Sequence, residues 1–156
     1  RAQRPQRRPG AGITGGPDEA ADNQDLLELL AIGAGTRVAM VGAIKPLIRL
    51  IKERGGEVAV RDEGKGIGAP DDFMEKLSGW AEVLILTSTT ILNNTTEEIL
   101  AAAAGPRQTV LLGPSTPLVP EAFADLPVDF LAGTLPLDWG FGDDTSGFYL
   151  QMGEVF

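Results

Sequence analysis

The sequence predicts an open, Rossmann-like α/β fold of three layers: a mostly parallel sheet of five or six strands with helices on both faces. Three observations carry this prediction. Short apolar runs of strand length recur along the chain, and segments with helical apolar spacing separate them. Several runs also end in glycine or in a polar loop. Strands separated by helices need crossover connections, which set neighbouring strands parallel and lay the helices on the sheet faces.

The elements follow in order. Asn23 stands before Leu26, Leu27, Leu29 and Leu30 as the cap of a short helix would, with Gly33 or Gly35 as its stop. Arg37-Val-Ala-Met-Val-Gly42 is the first strand. Pro46 suits the first turn of the next helix, where its missing N–H costs nothing. Leu47, Ile48, Leu50 and Ile51 give that helix an apolar face, and Gly55-Gly56 ends it. Glu57 to Arg61 is the second strand, and Asp71 to Leu77 a short helix behind Pro70. Val83 to Leu86 is the third strand, wholly apolar and therefore central. A third helix runs from Thr95 to Ala104, a fourth strand from Thr109 to Leu112 and a helical turn from Glu121 to Ala124. Val128 to Ala132 is the fifth strand, and Gly147 to Phe156 adds an edge strand.

Composition sets limits on function. The 156 residues fit one domain, and 43% hydrophobic content is enough for a core. Residues 1–22, with Pro5, Pro9, Gly10, Gly12, Gly15, Gly16 and Pro17, read as a flexible Arg/Pro/Gly-rich tail or linker. Residues 23–156 form the ligand-binding domain. No apolar run approaches the roughly 18 residues of a membrane helix, and no secretory signal is evident, which favours the cytoplasm. The net charge of −9 opposes nucleic acid and anionic lipid, despite Arg1, Arg4, Arg7 and Arg8 in the tail. With no histidine and no cysteine, Ser-His-Asp and Cys-His catalysis are excluded, as are imidazole and thiolate metal sites.

The informative residues fall just after strands, on what becomes one edge of a parallel sheet. Gly42 allows close backbone approach after the first strand, and Lys45 adds a positive charge, although no G-x-G-x-x-G fingerprint is present. Asp62, after the second strand, stands where an acidic residue bonds a ribose hydroxyl in nucleotide-binding folds. After the third strand, eight of the ten residues from Thr87 to Thr96 carry hydroxyl or amide side chains. Thr95 and Glu98 have the spacing of a capping box, which leaves Thr87, Thr89, Thr90 and Asn93 without a purely local reason. A helix N-terminus behind them suits a phosphate or carboxylate. Gly113, Pro114, Ser115 and Thr116 follow the fourth strand as a rigid loop with two hydroxyls, and Gly133-Thr134 follows the fifth.

The Val-Ala-Met-Val-Gly start, the Thr-x-Thr-Thr-x-x-Asn-x-Thr loop and the Gly-Pro-Ser-Thr-Pro loop come in that order. In this the chain resembles a bacterial and archaeal family described as putative heavy-metal chelation proteins, over roughly residues 24 to 140. The resemblance implies a Rossmann-like domain that pairs with an enolase-N-terminal-like domain, with a site between them. It assigns that site to Gly42, Thr87, Thr89, Thr90, Asn93, Thr95 and Gly113 to Thr116. Where the family commonly has Asn-Gly-Thr, this chain has Asn93-Asn94-Thr95, with Asn94 in the glycine's place. Residues 1–23 are too few for the companion domain, which is then supplied by another chain or dispensed with.

Three functions compete. The first is a binding module for a small anionic ligand, a metal ion or a metal chelate. The second is an enzyme on a small anionic or nucleotide-like substrate, with Lys45 or Asp62 as acid or base. The third is a structural subunit of a larger assembly or homo-oligomer. Oxygen donors alone suit Mg²⁺ or Ca²⁺ better than soft metals, and a pre-chelated metal avoids that restriction.

Overall fold

The most apolar runs lie side by side at the middle of a sheet because they have few polar side chains and must bury both faces. A computed structural model of the chain describes residues 14–15, 19–113, 116, 120–137 and 145–152. The strands are β1 (Thr14–Gly15), β2 (Arg37–Val41), β3 (Glu57–Arg61), β4 (Val83–Thr87), β5 (Gln108–Leu112), β6 (Phe130–Leu137) and β7 (Thr145–Met152). The helices are α1 (Glu19–Leu29), α2 (Lys45–Glu53), α3 (Pro70–Gly79), α4 (Thr89–Leu92) and α5 (Thr96–Ala102). Short 3₁₀ turns cover Glu63–Lys65 and Pro120–Phe123.

Among the described residues the strands form one sheet in the order β1-β7-β6-β5-β4-β2-β3. Its five-strand centre, β3-β2-β4-β5-β6, is parallel throughout, as expected. On its far side β7 pairs antiparallel with β6, and β1 antiparallel with β7. The chain runs from β2 out to β3 at the edge, then returns past β2 to β4. This reversal is the topological switch point, and it lies between the C-terminal ends of β2 and β4.

Strand alternation sends successive side chains to opposite helical layers. Val38, Met40, Val83, Ile85, Val110 and Leu112 pack with Leu26, Leu27 and Leu30 and with Leu47 and Ile51 of α2. Ala39, Leu84, Leu86 and Leu111 pack on the other face with Phe73 and Leu77 of α3 and Ile99 and Leu100 of α5. Val83 to Leu86 are all fully buried, as a central strand requires. Each such leucine or isoleucine contributes about 1.5–3 kcal/mol on leaving water. No helix among the described residues is long and apolar enough to cross a membrane.

Several local expectations need correction. Helix α1 begins at Glu19 rather than after a cap at Asn23. It ends without glycine: Ala31 takes a left-handed φ of 50°, and the Ile32 N–H closes back on the Leu27 carbonyl at 2.9 Å. Burial of Leu30 and Ile32 explains that turn, since both are locked in the core. The segment after β4 is not one polar loop before a helix, because Thr89–Leu92 forms a separate helical turn. The Thr95–Glu98 capping box is not made: Thr95 has helical backbone angles and no side-chain cap bond. Gly133 and Thr134 lie inside β6, paired with Tyr149 and Phe148, and not in a loop beyond it. The last expected strand is present as β7, starting at Thr145, but it does not form the edge, because β1 pairs on its outer side.

Candidate functional site

The C-terminal edge of the parallel strands brings three segments together, and Thr87 and Ser88 are at their centre. Gly42, with φ +89°, closes β2 so tightly against β4 that an added Cβ would overlap the Thr87 methyl and stand 2.8 Å from its Oγ1. On the other side Gly113, with φ +144°, would place a Cβ 2.6 Å from the Ser88 Oγ. The two glycines therefore let β2 and β5 close on the end of β4 from opposite sides. Strand register fixes this arrangement, since Val41 stands opposite Leu86 and Leu112 opposite Thr87.

The hydroxyls divide into two groups. Thr87 is half-buried and Thr89 exposed, and their Oγ1 atoms are 2.6 Å apart. These two remain open to the edge. Thr90 is buried, donates to the Thr87 carbonyl at 2.9 Å, and accepts from the Thr96 hydroxyl at 2.9 Å. Thr95 turns its hydroxyl back to the Thr90 carbonyl at 3.5 Å. Thr90, Thr95 and Thr96 thus tie α4 to α5. Asn93 and Asn94 are exposed on the turn between those helices. Asn94 adopts φ 58°, a left-handed conformation that asparagine tolerates better than most residues with a Cβ.

Lys45 begins α2 three positions after Gly42 and is exposed, and its side chain has no ion pair or hydrogen bond among the described residues. Ile44, the cap of α2, makes no side-chain cap bond, and the first turn carries no acidic residue. Asp62 is differently placed. Its Oδ2 accepts the Ala43 N–H at 2.8 Å and pairs with the Lys65 ammonium at 3.2 Å, while its Oδ1 accepts the Lys65 N–H at 3.2 Å. The Ala43 N–H first, and then Lys65, hold this carboxyl below its ordinary range, with partial burial opposing. Thr116 is buried, its N–H donates to the Gly113 carbonyl at 3.1 Å, and its hydroxyl has no hydrogen-bond partner among the described residues. Pro114 and Ser115 lie outside the described residues.

The structure therefore gathers Gly42, Thr87 and Thr89 on one side and Gly113 on the other, joined through Ser88, while Lys45 follows Gly42 by three positions. Ser88 is a residue that threonine spacing does not select; only its contact with Gly113 brings it in. Among the described residues, no group of three or more carboxylates comes together to hold a metal ion. Hydroxyls without imidazole or thiolate do not fit a bare soft metal ion.

The sequence model of the family described as "Putative heavy-metal chelation" (DUF364) matches residues 25–139. The chain belongs to this family. A DUF364-family protein of unknown function from Pyrococcus horikoshii shares the fold at TM-score 0.67 and 22% identity, over 89% of this chain and 60% of its own. A second member, from Desulfitobacterium hafniense DCB-2, matches at TM-score 0.58 and 21% identity, over 76% of this chain and 45% of its own. O-acetylhomoserine sulfhydrylase from Wolinella succinogenes matches at TM-score 0.58 and 16% identity, over 92% and 42%. At such identities the likeness shows the fold alone. The chain spans 60% of the length of the Pyrococcus relative and less of the other two. A comparison with curated proteins finds no significant match.

Proposed function

We propose that this chain is a ligand-binding domain that holds a small anionic molecule, or a metal chelate bound through its organic part, at the switch point between β2 and β4. The observation that carries this is the close approach of Gly42 to Thr87, which sets bare backbone beside two open hydroxyls. Lys45 and an α2 first turn free of acidic residues favour negative charge there. The Thr116 hydroxyl, buried and without a partner among the described residues, follows β5 on the same strand edge and adds a polar group there. The family description points to a heavy metal as the cargo. A chelate fits the oxygen-only donors better than the bare ion does.

A companion domain covers this edge. Ile67, on the loop after β3, and Leu92, the last residue of α4, are large apolar side chains that remain 41% and 76% exposed. The Pyrococcus relative has additional length that this chain does not cover.

Native mass spectrometry of the purified protein, before and after denaturation, tests the proposal when combined with metal analysis and dialysis against nickel–citrate and inorganic phosphate. A retained anion or chelate, or saturable uptake of either probe, is the expected result. A bare mass together with no uptake overturns it.

A further inference from the structure

We propose that Asp62 and Lys65 are a positioning pair: they fix the Gly42-Ala43 wall of the switch point and do not contact the ligand. The functional consequence rests on the ligand-site reading above, but the positioning rests on geometry alone.

The turn between β2 and α2 has few ties of its own. Apart from the Ile48 N–H on the Ile44 carbonyl that opens α2, its backbone bonds are Gly42 N–H to the Arg61 carbonyl at 2.8 Å and Ile44 N–H to the Gly42 carbonyl at 3.1 Å. Both polar groups of Ala43 are engaged from the neighbouring loop. The Asp62 carboxylate accepts its N–H at 2.8 Å, and the Lys65 ammonium donates to its carbonyl at 3.1 Å. Because the same ammonium lies 3.2 Å from Asp62 Oδ2, the three groups close a ring around one residue.

The clamp is itself anchored. Asp62 caps the Glu63–Lys65 turn, and its backbone exchanges hydrogen bonds with Ile67 at 2.8 and 2.9 Å. The nearby cation Arg61 pairs with Glu63, which leaves Lys65 to Asp62. The Asp62 side chain is only 15% exposed, so little of it faces outward. Residues nineteen apart in sequence are thereby locked, and Gly42 is held at a φ of +89° against Thr87.

Amide hydrogen exchange by NMR on the full chain tests this. In Asp62→Ala the Ala43 amide is expected to exchange roughly tenfold faster or more, as loss of a charge-assisted bond predicts. The Thr87 methyl resonance should move, while the Ile85 and Leu111 amides keep their protection. Asp62→Asn should fall between, since its amide oxygen still accepts from Ala43 but no longer pairs with the ammonium. Lys65→Arg should restore the behaviour that Lys65→Met loses. Nickel–citrate affinity should fall in step with the Ala43 exchange rate across the series.

Unchanged Ala43 exchange in Asp62→Ala overturns the proposal. So does loss of nickel–citrate binding in Asp62→Asn with wild-type Ala43 exchange, which would mark direct contact. If Asp62→Ala loses Ile85 protection and unfolds, Lys65→Met decides by the same Ala43 readout. If the unaltered protein takes up no nickel–citrate while Ala43 still responds to Asp62, the positioning pair stands and the ligand-site reading alone fails.

Discussion

Gly42 and Asn94 both hold left-handed backbone angles, at φ +89° and +58°, but they tolerate change differently. At Gly42 the dihedral and the Thr87 side chain both exclude a Cβ. Gly42→Ala is therefore expected to cost about 1–3 kcal/mol, as residues forced into sparsely populated backbone regions do, with urea unfolding as the check. At Asn94 the side chain is exposed and only the dihedral matters. Asn94→Gly should be nearly neutral, whereas Asn94→Val should cost about 1–2 kcal/mol because a branched Cβ resists this region. The sequence marks both positions, one by a glycine after an apolar run and one by an asparagine in a polar turn. It does not show that Gly42 faces Thr87, forty-five positions away in the chain. Ser88 illustrates the same limit: it is one hydroxyl among many until Gly113 is found against it.

At the level of elements, burial separates residues that composition treats alike. Leu86 of β4 is fully buried among α3 and α5, while Leu92, at the end of α4, is 76% exposed. Leu86→Ala should cost about 2–5 kcal/mol, the range for a buried leucine truncated to alanine. Leu92→Ala should stay within about 0.5 kcal/mol, the usual range for exposed positions. Thermal and urea unfolding of both variants checks the contrast. The strands were legible because long-range parallel pairing selects continuous apolar runs, and β3 matches its expected bounds from Glu57 to Arg61. The helices near the site were less so. Thr95 has the spacing of a cap, but its hydroxyl turns to the Thr90 carbonyl, because α4 supplies an acceptor that the local pattern does not reveal.

Across the whole molecule, two carboxylates brace opposite ends of the sheet. Asp62 ties the C-terminal edge, and Glu82 accepts the Arg37 N–H at 3.0 Å at the start of β2. The Arg37 N–H foremost, then the charges of Arg37 and Arg107, hold Glu82 below its ordinary range. Both groups bind protons less readily folded than unfolded. Their contribution to stability is therefore complete above the unfolded carboxylate values near about 4, and is lost as pH falls through the lowered native ones. Asp62→Asn and Glu82→Gln should lower stability near neutrality and flatten its decline in acid. Urea midpoints measured across the acid range are the check, and an unchanged acid slope in the double variant would rule the account out.

The sequence by itself determined the α/β class, the parallel centre of the sheet, the edge on which polar loops collect, and the absence of imidazole and thiolate chemistry. These depend on local periodicity and on which side chains exist at all. Only the tertiary structure decided which of the polar residues meet. Thr87 and Thr89 stay open while Thr90 and Thr95 turn inward to join two helices, and Asp62 grips Ala43 from the next loop. Those outcomes depend on strand order and register, which place distant residues side by side and leave no trace in the spacing of either one.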